Sequence, residues 1–422
     1  MKPTFAQALK FWWTLGWISF GGPAGQIAVM HAELVERRRW VDEAGFLHAL
    51  NYCMLLPGPE AMQLATYLGW RLHGLRGGLA AGVLFVLPAT LLLALLSWAY
   101  LRFGALPVVG GISLGLSAAV LALLLQAVIR LGRRVLKRGF ARMLAMLALI
   151  GLGAGLAFPW IVLGAALLGL CAGRFRPGWL TVELHQDASP SLPGTGRADP
   201  GKRRALMLAV ALLAAWWLPL LAVRAALGAD STAWAQAVFF SQAAMVTFGG
   251  AYAVLPYVAQ LAVEQHQWLT TGQMMVGLGL AETTPGPLII VLEFVGFVGG
   301  WQHPDLASPL ASALLGAVVT VWATFLPSFL FVLPVAPWIE SLRDRPLLAA
   351  AIGGISAAVV GVIVNLALWF GLHLYAGRRP AEIVLITAVA LLAWFALARG
   401  RHVLAVVVVA ALAGGLWQVS GA

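Results

Sequence analysis

Long apolar runs without a single charged residue constrain the fold of this chain more than any other feature. They cover residues 78–101, 108–129, 143–173, 205–223 and 347–372. A helix of about 20 apolar residues spans the roughly 30 Å hydrocarbon core of a bilayer, and each run is close to that length or above it. Only 10% of the residues are charged, against about 25% in an average soluble domain. The pattern predicts an all-α polytopic membrane protein.

The basic residues are concentrated in the short segments between these runs. The net charge is +11, but Lys and Arg distributed in this way are typical of topology signals in membrane proteins. We therefore expect the lipid bilayer, and not nucleic acid, as the surroundings of the chain. The two cysteines, Cys53 and Cys171, lie in apolar runs without metal-ligand spacing and are predicted to be small core residues.

The chain contains an internal repeat. Residues 20–59 and 248–287 share Phe-Gly-Gly at the start, a Trp twenty residues later and Pro-Gly-Pro at the end, at a constant offset of 228. The loop before the Trp differs in charge: Arg37, Arg38 and Arg39 of the first copy correspond to Gln265, His266 and Gln267 of the second. Short cytoplasmic loops keep Lys and Arg, whereas translocated loops lose them. The sequence therefore predicts two inverted-topology repeats.

Each repeat has about six hydrophobic segments, and one further segment separates the repeats. We expect the first repeat over residues 1–173, an exposed cytoplasmic linker over 174–204, a connecting transmembrane helix over 205–223 and the second repeat over 224–422. Because the number of segments is odd, the second repeat starts on the opposite face. The N-terminus is expected in the cytoplasm.

The segments around Pro-Gly-Pro are too short to cross completely. Residues 44–56 and 60–70 are each little more than half a membrane thickness at 1.5 Å per residue. We predict that they and the Phe-Gly-Gly segments are broken or re-entrant helices, because this places most basic clusters on one face. Arg378 and Arg379 are the exception to that distribution.

These breaks are the predicted binding site. Pro lacks an N–H and Gly adopts unusual dihedral angles, so Pro-Gly-Pro interrupts a helix, and the freed backbone groups must face protein or water. A helix that begins after a break points its positive end and free N–H groups at it, which suits an anion. Inverted repeats with broken helices are also the plan of many secondary transporters. Kinks that serve only packing are the alternative interpretation.

The predicted substrate-binding residues belong to four breaks and their flanks. They are Gly21, Gly22, Pro57, Gly58, Pro59, Gln63, Gly249, Gly250, Thr283, Thr284, Pro285, Gly286 and Pro287. Gln63, Thr283 and Thr284 are included because their uncharged side chains can donate hydrogen bonds to an oxyanion, with packing as the alternative role.

Three acidic residues at membrane depth, Glu60, Glu282 and Glu293, are predicted proton-coupling or gating groups. Glu60 equally fits the stabilisation of a first helical turn, whereas the position of Glu282 has no such explanation. Glu293 also suits a position facing a water-filled cavity. Arg71, at the end of its hairpin, fits either an electrostatic mouth for anions or a topology anchor.

No motif indicates catalysis. The chain lacks a nucleotide-binding sequence and a catalytic constellation, and its eight His residues form no cluster. We therefore expect neither an enzyme nor a metal site nor a cofactor. A homodimer is compatible with the sequence.

Four motifs resemble the chromate ion transporter (CHR) family. They are "FGGPAGQIAVMHAELVERRRWV", "LLPGPEAMQLATYLGWRLHG", "VTFGGAYAVLPYV" and "GLAETTPGPLIIVLEFVGF", and the resemblance covers the whole chain in the style of the long, two-domain bacterial members. The resemblance implies chromate export across the inner membrane, driven by the proton-motive force and conferring chromate resistance. Sulfate, the isosteric dianion, is the expected competitor. Ala251 stands where the first repeat has Pro23, so the two breaks are not strictly equivalent.

Two other functions fit the sequence less well. One is the uptake of sulfate or another oxyanion. The other is a membrane protein that handles polyprenyl phosphates, for which a cluster of acids, Arg or Ser on one hairpin would be needed and is not found.

Overall fold

The computed structural model describes residues 3–175, 201–248, 251–337 and 346–420, and these form only helices. Seven helices of the described part are long and apolar enough to cross a membrane, so the prediction of an all-α polytopic protein is confirmed. Gly249, Gly250 and most of the expected linker lie outside the described residues.

The first half contains seven helices. They are α1 Phe5–Ile18, α2 Gly22–His31, α3 Glu43–Cys53, α4 Glu60–Phe103, α5 Pro107–Val135, α6 Gly139–Gly153 and α7 Phe158–Phe175. The connecting helix α8 spans Gly201–Leu227. It therefore extends beyond the expected residues 205–223 at both ends.

The second half repeats this order. Its helices are α9 Thr232–Val246, α10 Ala251–Gln260, α11 Thr271–Thr283, α12 Val291–Gln302, α13 Pro309–Val332, α14 Pro346–Tyr375, α15 Pro380–Ala398 and α16 Val403–Val419. A short 3₁₀ turn, Leu288–Ile290, leads into α12. A π-helical turn follows α2 at Ala32–Arg37 and α10 at Leu261–Gln265.

The first Pro-Gly-Pro segment doubles back on itself. Asp42 precedes α3 and caps it by accepting a hydrogen bond from the Gly45 N–H, and its other carboxylate oxygen accepts from Nη2 of Arg71 at 3.2 Å. Arg71 lies far along the helix that follows Pro59, so the base of α3 and the far end of that helix are neighbours. Pro-Gly-Pro is therefore the tip of a hairpin.

A second reversal occurs inside α4. His73 and Gly74 leave the helical conformation, with Gly74 at a φ of 68° that favours glycine. The two arms that meet there pack closely, because a side chain at Gly69 or Gly77 would collide with the backbone of the other arm. The second arm, residues 75–103, is a charge-poor crossing helix.

The loops that differ in charge share one backbone structure. Arg39 and Gln267, at equivalent positions, both adopt a φ of 52°. The Arg38 guanidinium lies 5.0 Å from the centroid of the Phe11 ring and 5.1 Å from that of Trp40. His266, the counterpart of Arg38, stacks against its own Trp268 at a centroid distance of 4.2 Å, and burial lowers its pKa. The skeleton is thus kept while the permanent positive charge is lost.

The two loops lie at opposite ends of α4. The His73 ring, at one end of the second arm, makes a hydrogen bond with the Pro3 carbonyl at 3.0 Å. At the other end, residues 104–107 line a cavity together with Thr270 and Gln273. Thr270 is the counterpart of Asp42 at the offset of 228. We name the two sides the Asp42 face and the Thr270 face; their opposition is the arrangement that an inverted repeat requires.

The halves are interlocked through their last helices. The pair α15 and α16 of the second half packs against α5 of the first, and the pair α6 and α7 of the first packs against α14 of the second. One continuous core of buried apolar residues therefore includes both halves. Cys53 is buried in it, but Cys171 is exposed; the prediction of a core role is wrong for Cys171, because the buried side of α7 is formed by residues such as Ala165, Gly169 and Ala172.

The opposed loops predict opposite labelling of two single-cysteine variants. We expect Arg37→Cys and Gln265→Cys, both at exposed positions, to react with a membrane-impermeant thiol reagent from opposite sides of the membrane. Cys53 and Cys171 are first replaced by Ala so that each variant carries one thiol. Labelling of both positions from the same side of sealed, oriented vesicles would contradict the inverted arrangement.

Candidate functional site

Each Pro-Gly-Pro tip is hydrogen-bonded to the other half of the protein. The Gly58 N–H donates to the Thr247 carbonyl at 2.7 Å, and the Gly286 N–H donates to the Ser19 carbonyl at 2.8 Å. Ser19 and Thr247 immediately precede the two Phe-Gly-Gly segments. The two bonds are therefore equivalent under the repeat, and each joins one Pro-Gly-Pro break to the Phe-Gly-Gly break of the opposite half.

Both tip glycines are required by their backbone and by their surroundings. Gly58 has a φ of 122° and Gly286 a φ of 108°, in the region that favours glycine. A Cβ at Gly58 would lie 2.9 Å from Oγ of Ser328, and one at Gly286 would lie 2.6 Å from Cβ of Ala89. Ser328 and Ala89 follow the equivalent prolines of α13 and α4, so each tip also packs against the crossing helix of the other half.

Three helices begin at these breaks without a side-chain cap. They are α2, which begins after Gly21, α4, which begins after Pro59, and the 3₁₀ turn with α12, which begins after Pro287. The first N–H groups of such helices have no intrahelical acceptor and lie at the positive end of the helix dipole. The breaks therefore offer backbone donors where an anion can be held.

The side-chain donors differ from those that the sequence suggested. Thr283 and Thr284 both donate their hydroxyl protons to the Leu280 carbonyl at 2.7 Å. Gln63 donates its amide to the Pro57 carbonyl of its own break at 2.6 Å. In this structure these three side chains satisfy backbone carbonyls.

Two hydroxyl groups at the breaks have no hydrogen-bond partner among the described residues. These are Oγ of Ser19 and Oγ of Ser328, both buried. Gln26 of α2 donates its amide to the Gly286 carbonyl, while its own carbonyl oxygen has no partner in the described part of the chain. A buried unpaired polar group is costly, so Ser19 and Ser328 are the better candidates for donors to a bound oxyanion.

Glu282 and Glu60 each have an arginine of α5 as an electrostatic neighbour. The Tyr252 hydroxyl donates to Oε1 of Glu282 at 2.5 Å, and Arg130 attracts the same carboxylate. Arg134, one helical turn beyond Arg130, attracts Glu60. Both arginines are exposed. The sequence analysis assigned this basic cluster only to topology, because the end of α5 could not be located from the sequence.

Glu293 lies apart from these pairs. It is only 1% exposed, and both of its carboxylate oxygens lack a partner among the described residues. Among the residues that the structure describes, no charged side chain acts on it. An isolated buried carboxyl group at membrane depth is expensive to ionise, so this position suits a group that is protonated in at least one state of the protein.

The Arg71 side chain stabilises the base of the first hairpin. Its guanidinium donates to Asp42 at the hairpin base and its side chain is only 20% exposed. No cluster of three or more metal-ligating side chains occurs in the part of the chain that the structure describes.

The two halves are packed differently around the breaks. In the second half, α11 packs extensively against α5, α14 and α16, and α10 packs against α14. Their counterparts α3 and α2 lack the corresponding extensive contacts, and α3 packs mainly against α4. Along α2, Gly21, Ala24 and Ala28 are exposed. The helices beside the second-half breaks are therefore packed more tightly against the rest of the protein than those beside the first-half breaks.

The strained tips predict a stability difference between two kinds of glycine. We expect Gly58→Ala or Gly286→Ala to lower the free energy of unfolding by about 1–3 kcal/mol, because each puts a side chain at positive φ in a filled space. The control is Gly164→Ala on α7, where a Cβ meets nothing within 4 Å. Thermal unfolding of the purified protein in detergent measures the difference; equal midpoints for the tip variants and the control would contradict it.

A family model and three relatives that match this chain are described as chromate transporters or chromate transport proteins. The family model "Chromate transporter" matches residues 6–170 and 234–415. The chain is 33% identical to a chromate transport protein of Pseudomonas aeruginosa over 85% of this chain and 78% of that protein. It is 29% identical to a chromate transport protein of Cupriavidus metallidurans over 86% and 81% of the two chains. A probable chromate transport protein of Synechococcus elongatus is 28% identical over 97% and 94%. No solved structure matches the chain.

Proposed function

Since this chain belongs to the chromate transporter family, we propose that it is a secondary transporter, not an enzyme, and that it exports chromate across the bacterial inner membrane. The observation that supports this most is the pair of reciprocal hydrogen bonds between the Pro-Gly-Pro and Phe-Gly-Gly breaks. These bonds join breaks that have uncapped helix N-termini and buried hydroxyls without a partner among the described residues, which supports an anion site there.

The proposed site binds a tetrahedral dianion through neutral donors. The free N–H groups that follow Gly21, Pro59 and Pro287 supply the backbone part, and the hydroxyls of Ser19 and Ser328 supply the side-chain part. Thr283 and Thr284 contribute when their hydroxyls turn away from Leu280. Neutral donors hold a dianion without making its release as costly as a buried arginine would.

Transport follows from the unequal packing of equivalent halves. We propose that the loose arrangement of α2 and α3 and the tight arrangement of α10 and α11 are exchanged during the cycle, which opens the Thr270 face and closes the Asp42 face. Inverted repeats allow this exchange because each half can adopt the conformation of the other. The clustering of Arg37–Arg39 and the arginines after residue 130 favours the Asp42 face as the cytoplasmic one, with the N-terminus inside the cell.

The membrane potential is the main part of the proposed driving force. Moving a dianion out of a negatively charged cell gains about 4.6 kcal/mol per 100 mV, since each elementary charge contributes about 2.3 kcal/mol, and a proton that leaves with it reduces the gain to about 2.3 kcal/mol per 100 mV. The pH gradient acts in the opposite sense. A bound dianion repels the ionised form of the neighbouring Glu282, so anion and proton are bound together and travel in the same direction.

This account predicts how everted vesicles respond to ionophores. Respiring everted vesicles have a positive and acidic interior, so we expect them to accumulate chromate. Valinomycin with potassium, which collapses the potential, should abolish accumulation. Nigericin, which collapses the pH gradient, should leave accumulation unchanged or increase it. Equal accumulation after both gradients are collapsed would contradict active transport.

If Glu282 binds the coupled proton, replacing it should remove the effect of the pH gradient on transport. We expect Glu282→Gln to keep potential-driven accumulation of chromate but to lose the effect of nigericin, because the proton-binding group beside the anion is gone. The matched control is Glu36→Gln, which removes an exposed carboxylate on the Asp42 face and should behave like the wild type. A nigericin effect that persists in Glu282→Gln would transfer the coupling role to Glu60 or Glu293.

The alternative functions give different outcomes in cells. An exporter of chromate protects growing cells from chromate, whereas a transporter that takes up sulfate or another oxyanion sensitises them. A protein that handles polyprenyl phosphates changes neither response and would instead move labelled lipid phosphate in vesicles.

A further inference from the structure

A cavity of about 390 Å³ opens on the Thr270 face, at the opposite end of the protein from the arginine-rich loops. It lies where the start of α5, the start of α11 and the loop between α14 and α15 meet. Its volume equals that of about a dozen water molecules at roughly 30 Å³ each. It is therefore large enough for a hydrated tetrahedral oxyanion.

Arg378 supplies the positive charge of this cavity. Its Nη1 lies 3.6 Å from Oε2 of Glu382, whereas Arg379 donates from Nε and Nη2 to Oε1 of the same carboxylate at 3.1 and 3.0 Å. Glu382 is thus hydrogen-bonded to Arg379, and Arg379 does not line the cavity. Arg378 also donates from Nε to the Leu374 carbonyl at 3.4 Å, and its side chain, which is 41% exposed, lines the cavity.

Uncharged polar groups extend the cavity towards the centre of the protein. Ser113 and Ser117 lie one helical turn apart on α5, and Tyr100, Gln273 and Gln418 complete the polar part of the lining. Ser117 is only 5% exposed, so this wall reaches into the protein. The Tyr100 ring packs against the ring of Phe294, with 5.9 Å between the two ring centroids. Phe294 follows Glu293 in the sequence.

The cavity ends a short distance from the proposed substrate site. Val276 forms part of its lining, and Glu282 lies six residues further along α11, about 9 Å at 1.5 Å per residue. Between them a Cβ at Gly279 would lie 3.2 Å from the Leu116 side chain and 3.5 Å from Val120. The contact of α11 with α5 therefore closes the cavity from the centre.

We propose that this cavity is an outer binding site for tetrahedral oxyanions, in which Arg378 holds the anion after it has left the central breaks. The proposal rests on the proposed function, which makes the Thr270 face the outer one. It also explains why Arg378 and Arg379 are exceptions to the cytoplasmic bias of positive charge: Arg378 binds the anion, and Arg379 shares the charge of Glu382, the carboxylate that competes with the anion for Arg378.

The test uses a cysteine reporter in the cavity and sulfate as the probe. Gly110 lines the cavity, and a Cβ there meets nothing within 4 Å, so Gly110→Cys introduces a thiol without a clash. In the full-length protein without Cys53 and Cys171, an uncharged, membrane-impermeant maleimide is added from the outside at constant ionic strength. We expect sulfate, compared with chloride, to slow the labelling.

Three variants, each combined with Gly110→Cys, test how the protection by sulfate depends on the charge of the cavity. In Arg378→Gln, the sulfate concentration that halves the labelling rate should rise at least about tenfold, through the loss of a charge-assisted hydrogen bond. Glu382→Gln should lower that concentration, because a competing carboxylate is removed. Arg102→Gln is the matched control: Arg102 is exposed at the end of α4 near the same face but does not line the cavity, and no change is expected.

Several outcomes would overturn the proposal. They are no labelling of Gly110→Cys from outside, no protection by sulfate, or protection that is equal in Arg378→Gln and in the control. Labelling without sulfate shows that each variant is folded and accessible. Chromate accumulation in everted vesicles is measured in parallel, so that sulfate protection without chromate transport would refute the proposed function and leave the anion site standing.

Discussion

The structure depends on the need to satisfy backbone groups that broken helices expose inside a membrane. Lipid offers no hydrogen bonds, so an interrupted helix is stable only when protein or trapped water pairs with its free groups. Here each half supplies the acceptor for the other: the Gly58 N–H bonds to the Thr247 carbonyl and the Gly286 N–H to the Ser19 carbonyl. Neither break is complete in its own half, which explains why the two copies are retained in one chain and interlocked.

The same requirement links the fold to transport. The tip glycines have positive φ values, and each lies so close to Ser328 of α13 or Ala89 of α4 that an added Cβ would collide with it, so a movement of α13 or α4 would be felt at the tips. The two sets of contacts are equivalent while the surrounding packing of α3 and α11 is not, which is the asymmetry that the proposed exchange of conformations between the halves requires. In the proposed cycle, this exchange moves the access route from one face to the other while the hydrogen bonds between the breaks are kept.

Much of this architecture was predictable from the sequence. The charge-free runs gave the membrane class, and the offset of 228 paired positions whose backbones do correspond, such as Arg39 and Gln267. The breaks at Pro-Gly-Pro follow from the chemistry of Pro and Gly. The partners of those breaks did not follow, because a contact between Gly58 and Thr247 depends on how two halves pack and leaves no local pattern.

The side chains at the site were harder to predict than its backbone. Ser19 and Ser328 are ordinary residues in apolar segments, and only burial without a partner distinguishes them. Arg130 and Arg134 belong to a basic cluster that indicates topology, and their electrostatic effect on Glu282 and Glu60 depends on α5 extending to Val135. Thr283 and Thr284 illustrate the reverse case, since a hydroxyl near a break can equally satisfy the turn that precedes it.

The central claim is that the breaks at Gly21, Pro59 and Pro287 together hold a dianion at the middle of the membrane. It is tested most directly by determining the structure of the protein crystallised with chromate and recording anomalous scattering at the chromium absorption edge. The account predicts a chromium peak beside the breaks, with its oxygens within hydrogen-bonding distance of the N–H groups after Pro59 or Pro287 and of the Ser19 or Ser328 hydroxyls. A peak elsewhere in the membrane region, with the breaks closed against each other and empty, would contradict it.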